Sequence, residues 1–199
     1  MAITNGYATL AQVKASLRIT DNLDDDLLEL AIESASRQID SHCERFFYSS
    51  SATRVYAPQD SYYCETDDIV SITTLKTSSL ADGQFDTTWA SSDYELLPLN
   101  GIAGGLTVPF NSLKAVGNYL FPLTTPVVEA TVQIQGVFGF SAVPVAIKQA
   151  TVILASRIFK RNDSPLGVAG FGDLGAIRVS RVDADVEALI QPYKKVRFA

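Results

Sequence analysis

The chain has 199 residues, 47% of them hydrophobic and 19% charged, a composition that supports a packed core and excludes whole-chain disorder. Sixteen basic against 22 acidic side chains give a net charge of -6 and a pI near 4.7, which disfavours a protein built to grip phosphate backbones. No apolar run approaches the ~18 residues of a membrane span, and the opening MAITNGYATL lacks the order of a signal peptide, so a soluble, non-exported chain of one large or two small domains is expected.

Thr9 with Gln12 three residues later forms a capping-box pattern, followed by the helical stripe Leu10, Val13 and Leu17; a short helix is expected over residues 9–17. Asp24, Asp25 and Asp26 then sit where a second helix begins, their charge favourable at its N-terminus. From there Leu28, Ile32, Ala35, Ile39, Cys43 and Phe46 recur three or four apart, the strongest periodic signal in the chain, with Glu29, Glu33, Arg37, Asp40 and Glu44 opposite.

Composition changes at Ser49-Ser50-Ser51. The stretch to about residue 140 is rich in Ser, Thr, Tyr, Gly, Pro and Asp, with candidate strands at 53–57, 69–75, 94–97, 105–108 and 127–138. The last is the clearest, because Val128, Ala130, Val132 and Ile134 alternate with polar residues. Turn signals at Asp82-Gly83 and Asn100-Gly101 separate the strands, and a small antiparallel sandwich or barrel follows.

Helical period returns near Pro144, with Ser141 able to cap and Pro144 in the first turn. Ile147, Ala150, Thr151, Ile153, Leu154 and Ile158 make a wide apolar face, so this third helix, 145–161, should be largely buried. The glycine-rich segment 167–175 precedes a short strand at 176–181. Asp183 then caps a last helix at 184–191, ahead of the tail Pro192-Tyr193-Lys194-Lys195-Val196-Arg197-Phe198-Ala199. The fold class is therefore α+β: a small bundle of about four helices, residues 1–48 and 141–199, with an inserted antiparallel β domain at 49–140 whose two ends should lie close together.

No catalytic constellation survives inspection. Gly170-Phe171-Gly172-Asp173-Leu174-Gly175 matches G-x-G-x-x-G, but a helix precedes it and a strand follows, the reverse of a dinucleotide site. Gly167, Gly170, Phe171, Gly172 and Gly175 read instead as a mobile or interface-forming loop, glycine permitting close backbone approach. His42 is the only histidine, so a histidine-rich metal site is impossible. Asp21 and Asp24 to Asp26 lack the glycine and ligand spacing of a calcium loop, and Asp67-Asp68 read as a turn before a strand. Cys43 and Cys64 form no metal pair and are expected as packed, reduced thiols. No enzyme, cofactor or metal is expected. Tyr62, Tyr63, Trp89 and Tyr94 either fill the β core or, exposed, make a surface for a carbohydrate or protein, the alternative function of a binding module.

Charge is unevenly placed, with balances of -4 over residues 1–50, -5 over 51–126 and +3 over 127–199. A cationic end on an acidic body suits a partner contact or head-to-tail association of copies. In the tail, Pro192 stops the last helix, and Tyr193 and Phe198 bracket Lys194, Lys195 and Arg197 as aromatic anchors among cations.

Tyr7-Ala8-Thr9-Leu10-Ala11-Gln12-Val13-Lys14-Ala15-Ser16-Leu17, the loop Thr20-Asp21-Asn22-Leu23-Asp24-Asp25-Asp26 and the helix after it, with Leu30, Ile32, Ala35 and Ile39, resemble the N-terminal signature of head-tail connector (adaptor) proteins of long-tailed bacteriophages. Val143-Pro144-Val145-Ala146-Ile147-Lys148-Gln149-Ala150 resembles the start of that family's third helix, and the basic turn Lys160-Arg161-Asn162 follows it. The long β insert is similar to that of the family's larger members. The resemblance implies a structural protein of the virion neck, assembled in the host cytoplasm as a homo-oligomeric ring, usually of twelve copies. Such a ring docks below the portal protein, extends a channel through which double-stranded DNA passes without specific binding, and carries the stopper or tail-completion protein. The expected portal-docking arm is Gln191, Pro192, Tyr193, Lys194, Lys195, Val196, Arg197 and Phe198, and the glycine loop is expected at a subunit interface or the lumen. No membrane is involved.

Overall fold

A computed structural model describes residues 3–80, 82–124, 129–161, 168–169, 177–178 and 184–195. The chain divides into two compact units, Met1–Phe47 with Val143–Ala199, and Tyr48–Ala142.

The first unit is helical. Helix α1, Leu10–Leu17, is closed at its start by a complete capping box: Gln12 N donates to Thr9 Oγ1 at 3.2 Å and Thr9 N to Gln12 Oε1 at 2.9 Å. Helix α2, Asp25–Cys43, has Asp24 at its N-cap without a side-chain hydrogen bond there; Asp25 and Asp26 in its first turn complement the helix dipole. Lys14 of α1 reaches Asp25 at 2.7 Å and Asn22 at 2.8 Å, pinning the two helices at the loop. Leu28, Ala31, Ile32, Ala35, Ile39 and Cys43 are buried, as the period requires. The stripe breaks after Cys43, because Glu44 takes a left-handed conformation (φ 54°) that ends the helix. Phe47 therefore enters the core instead of the expected Phe46, which is half-buried.

Helix α3, Val145–Lys160, packs on α2 and α1. Pro144 itself is the N-cap, one position outside the first turn where it was expected, and no side chain caps the helix. Only Ile147, Ala150, Thr151 and Ala155 of α3 are buried, while Val152, Leu154, Ile158 and Phe159 pack against the core partly exposed. The expectation of a largely buried helix is thus corrected: Val145, Lys148 and Gln149 are exposed, and α1, α2 and α4 cover the rest of the helix only in part. Helix α4, Ala184–Ile190, packs on α3 and runs into a 3-10 turn at Gln191–Tyr193.

The second unit is one six-stranded antiparallel sheet. Its strands are β1 (Ser50–Tyr56), β2 (Tyr63–Thr77), β3 (Thr87–Trp89), β4 (Tyr94–Leu97), β7 (Phe110–Ala115) and β8 (Val132–Phe138); the small hairpin β5 (Ile102–Ala103) and β6 (Leu106–Thr107) stands apart. The order is β1-β8-β2-β7-β4, with β3 on β2. In β8, Val132, Ile134 and Phe138 are buried and Gln135 is exposed, as the alternation predicts, but the strand begins at Val132 and Ala130, expected on its apolar face, is exposed outside it; residues 127–128 lie outside the described residues. Strand β4 coincides with its expected bounds, whereas β3 and β7 carry too little apolar alternation to be seen in the sequence. The two-residue turn of the small hairpin is Gly104-Gly105, both at positive φ, rather than Asn100-Gly101, which bends the chain just before it.

Two register shifts lie between β2 and β8, at Ile69/Ser71 and Ile72/Thr74. Gly136 sits opposite them, where a Cβ would stand 2.2 Å from Ser71 O. Only glycine lets the strands approach this closely. Ser50 pairs with Phe138, so the first and last strands of the insert are neighbours.

Beyond the main sheet, Val168–Ala169 and Ile177–Arg178 pair as strands β9 and β10. Strand β9 falls within the segment expected as a glycine loop, and β10 within the expected strand 176–181.

Candidate functional site

Among the described residues no group of three or more His, Cys, Asp or Glu could hold a metal ion. A shallow depression of about 400 Å³ on the sheet is lined by Ser51, Thr53, Thr73, Gln135, Gly136 and their neighbours, none of them titratable.

The C-terminal arm is tied back onto the helical unit over its first half. Lys195 N donates to Cys43 O at 3.0 Å, and the Tyr193 ring meets Phe47 edge-on at 5.9 Å. His42, at the end of α2, lies 3.1 Å from the Glu187 carboxylate of α4. The only histidine is thereby a strut between helices. Gln191, Pro192 and Lys194 are exposed. Val196, Arg197 and Phe198 lie outside the described residues, as do Gly167, Gly170, Phe171, Gly172, Gly175 and Asp183. Of the two expected aromatic anchors, Tyr193 is engaged within its own chain.

The same end of α2 holds a polar knot that sequence reasoning missed. Tyr7 Oη donates to Asp40 Oδ1 at 2.5 Å and accepts from Phe47 N at 2.8 Å, while the Tyr7 ring packs edge-on against Phe47 at 5.7 Å and beneath the Arg37 guanidinium. Burial, reinforced by the Asp40 carboxylate, pushes the Tyr7 phenol well above its ordinary range. Burial also raises Asp40, against the opposing effects of the Tyr7 hydrogen bond and Arg37. No local sequence pattern points to it, since the partners lie 33 and 40 residues away.

Cys43 and Cys64 are free and buried, their thiols pushed up to about 11 and about 12 chiefly by burial. In the β unit Trp89 is buried, stacked on Phe121 at 4.9 Å and donating to Thr77 Oγ1 at 3.0 Å. Tyr62 and Tyr63 are exposed. The expected alternatives for these aromatics are thus divided: Trp89 fills the core and is withdrawn from any carbohydrate or protein surface.

Large apolar side chains stand in solvent elsewhere, among them Leu23 (90% exposed), Leu27 (46%) and Leu30 (52%) at the start of α2.

The family model described as "Phage gp6-like head-tail connector protein" matches residues 7–75, which span α1, α2 and the first strands of the insert. No curated protein matches the chain. Among solved structures, a chain of the "Neck of empty GTA particle computed with C6 symmetry" is 17% identical with a TM-score of 0.60, the match covering 100% of this chain and 95% of that one. A chain of the "Neck of native GTA particle computed with C12 symmetry" is 18% identical with a TM-score of 0.55, over 100% and 94%. A third, from the "Virion of native gene transfer agent (GTA) particle", is 18% identical with a TM-score of 0.54, over 100% and 95%. These descriptions are of connector, neck and virion, and none names a catalytic activity. The chain carries the signature of the phage gp6-like head-tail connector proteins across its N-terminal helices and has, end to end, the fold of chains found in the neck of a gene transfer agent particle.

Proposed function

We propose that this protein is a structural component of a virion neck, an adaptor that forms a homo-oligomeric ring beneath the portal. The observation that carries the reading is the coincidence of the connector signature on residues 7–75 with a fold match over the whole chain to neck proteins, one of them in a twelve-fold symmetric assembly. Twelve copies would place double-stranded DNA in the lumen, and the acidic balance of the chain suits passage without binding. The ring offers its far side to a stopper or tail-completion protein. It is assembled in the host cytoplasm and acts in the virion, between capsid and tail. No helix among the described residues is long and apolar enough to cross a membrane.

Docking to the portal falls to the arm. The Tyr193 ring packs on Phe47 and the Lys195 amide is bonded to Cys43 O, while Gln191 and Pro192 are exposed, so Lys194, Lys195 and Arg197 provide the cations and Phe198, beyond Val196, an aromatic anchor. The glycine loop, with Gly167, Gly170, Phe171, Gly172 and Gly175, provides close backbone approach between subunits or at the lumen. Assembly is weak in free solution and templated by the portal. The test is electron microscopy of the purified protein with its portal, for the full chain and for a chain ending at Lys195. The full chain is expected to decorate portals as a ring. The shortened chain should melt near the parent temperature, since Tyr193 and the Lys195 amide are retained, yet lose portal binding and leave heads without tails. Undiminished decoration by the shortened chain would remove the arm from this role.

A further inference from the structure

The exposed leucines at the start of α2 form a continuous feature. Leu27 and Leu30, three apart, lie on one side of α2, and Leu23 stands exposed in the turn just before the helix. At 100° per residue that ridge points away from Leu28, Ile32, Ala35 and Ile39, the residues through which α2 packs on its own unit. Asp24, Asp26, Glu29 and Glu33 border it. Leu23 is 90% exposed, with no cover among the described residues. A ridge of large aliphatic side chains left in water by a helix that has already buried its other face is an interaction surface.

Charge says what it fits. Residues 1–47 carry four basic and eight acidic side chains, whereas residues 143–199 of the same unit carry nine basic and five acidic. The helical unit is therefore neutral overall but strongly divided, -4 on one segment and +4 on the other. The basic segment places Lys160 and Arg161 exposed at the end of α3, a helix whose Val152, Ile153 and Ile158 are only half covered. The acidic leucine ridge and the basic, partly apolar end of α3 are thus complementary, and both belong to one unit.

We infer that the Leu23, Leu27 and Leu30 ridge of α2 docks on the basic end of α3 in a second copy of this chain, making the head-to-tail contact that closes the ring. Two different surfaces of the same subunit meet, which is the heterologous geometry a ring requires. The leucines supply the buried area, while the unlike charges select the neighbour and orient it. This inference rests on the ring reading above and names its interface.

The experiment uses the full chain with a photo-crosslinking residue at Leu27, an equal mixture of isotopically light and heavy copies, and assembly both alone and on purified portal. The expected product is a covalent dimer with mixed-isotope linkages that map to peptide 145–161. In parallel, Leu23→Ser with Leu27→Ser, both at exposed positions, should leave the melting temperature within 2 °C of the parent while raising the concentration needed for ring formation at least tenfold. A second variant, Lys160→Glu with Arg161→Glu, should weaken assembly likewise, and added salt should weaken the parent. Rings that form at the parent concentration from the double-serine variant, or crosslinks to portal or to another peptide while rings persist, would overturn the interface and leave the ring reading standing. Failure of the parent chain to form rings in either condition would overturn both.

Discussion

Tyr7 shows how much one side chain can hold at a distance in sequence. Its hydroxyl satisfies the Phe47 amide and the Asp40 carboxylate together, while its ring packs on Phe47. Tyr7→Phe keeps the ring but removes the hydroxyl that holds the buried Phe47 amide and Asp40 Oδ1, so the helical unit should lose roughly 1–3 kcal/mol at neutral pH, measurable by urea unfolding. The pH dependence has a definite sign. The folded-state phenol ionises above its unfolded value near 10, so its contribution is complete below pH ~10 and is lost as pH rises further through the folded value. Stability of the parent should accordingly fall more steeply above pH ~10 than that of Tyr7→Phe. Equal alkaline slopes in the two proteins would show that the phenol is not held neutral.

The elements differ in how plainly the sequence announces them. Helix α1 was legible to the residue because Thr9 and Gln12 are a local device that works irrespective of the rest of the chain. Helix α2 was legible through its period, but not its end, because the left-handed turn at Glu44 has no signature side chain. Strands β3 and β7 were hidden. Thr87–Trp89 is only three residues long, and Phe110–Ala115 mixes Asn, Ser and Lys among its apolar residues, so the partners that make them strands are supplied by β2 and β4. The surfaces proposed for assembly were legible only in part. The arm shows in its sequence of cations and aromatics, whereas the leucine ridge is invisible until burial separates Leu28 and Ile32 from Leu27 and Leu30. Gly136 belongs to the hidden class too, its role set by two register shifts in a strand more than 60 residues earlier. Gly136→Ala should force β2 and β8 apart, costing roughly 1–3 kcal/mol and lowering the melting temperature of the β unit by at least ~5 °C. An unchanged transition by calorimetry would show that the bulged strands can yield at that point.

At the scale of the molecule, the charge is partitioned as sharply as the fold. The β unit, residues 48–142, holds three basic and nine acidic side chains, so the whole net charge of -6 resides there while the helical unit is balanced. The two units also have separate cores, Leu28, Ile32, Ile39 and Ile147 in one and Cys64, Ile69, Leu113, Ile134 and Phe138 in the other. We propose that each folds on its own. The pairing of Ser50 with Phe138 leaves the ends of the insert about 5 Å apart, a gap that a few residues can span. Replacing residues 50–140 by a short Gly/Ser linker should give a soluble helical protein with a cooperative melt followed by circular dichroism at 222 nm. A random-coil spectrum would show that the helical unit needs the sheet.

That adjacency of β1 and β8 sets a timetable. During synthesis α1 and α2 emerge first, yet the helix that covers their apolar face, α3, ends only at Lys160. At roughly 5–20 residues per second the interval is on the order of 5–25 s, an age beside the microseconds in which a helix forms. The sheet is complete before α3 begins. Once Phe138 has joined Ser50, the far end of the chain is delivered beside the near one, and closing the bundle becomes the joining of two neighbours instead of a search across 95 residues of loose chain. The insert is, in this sense, the clasp that lets a broken bundle be made in the order in which it is translated.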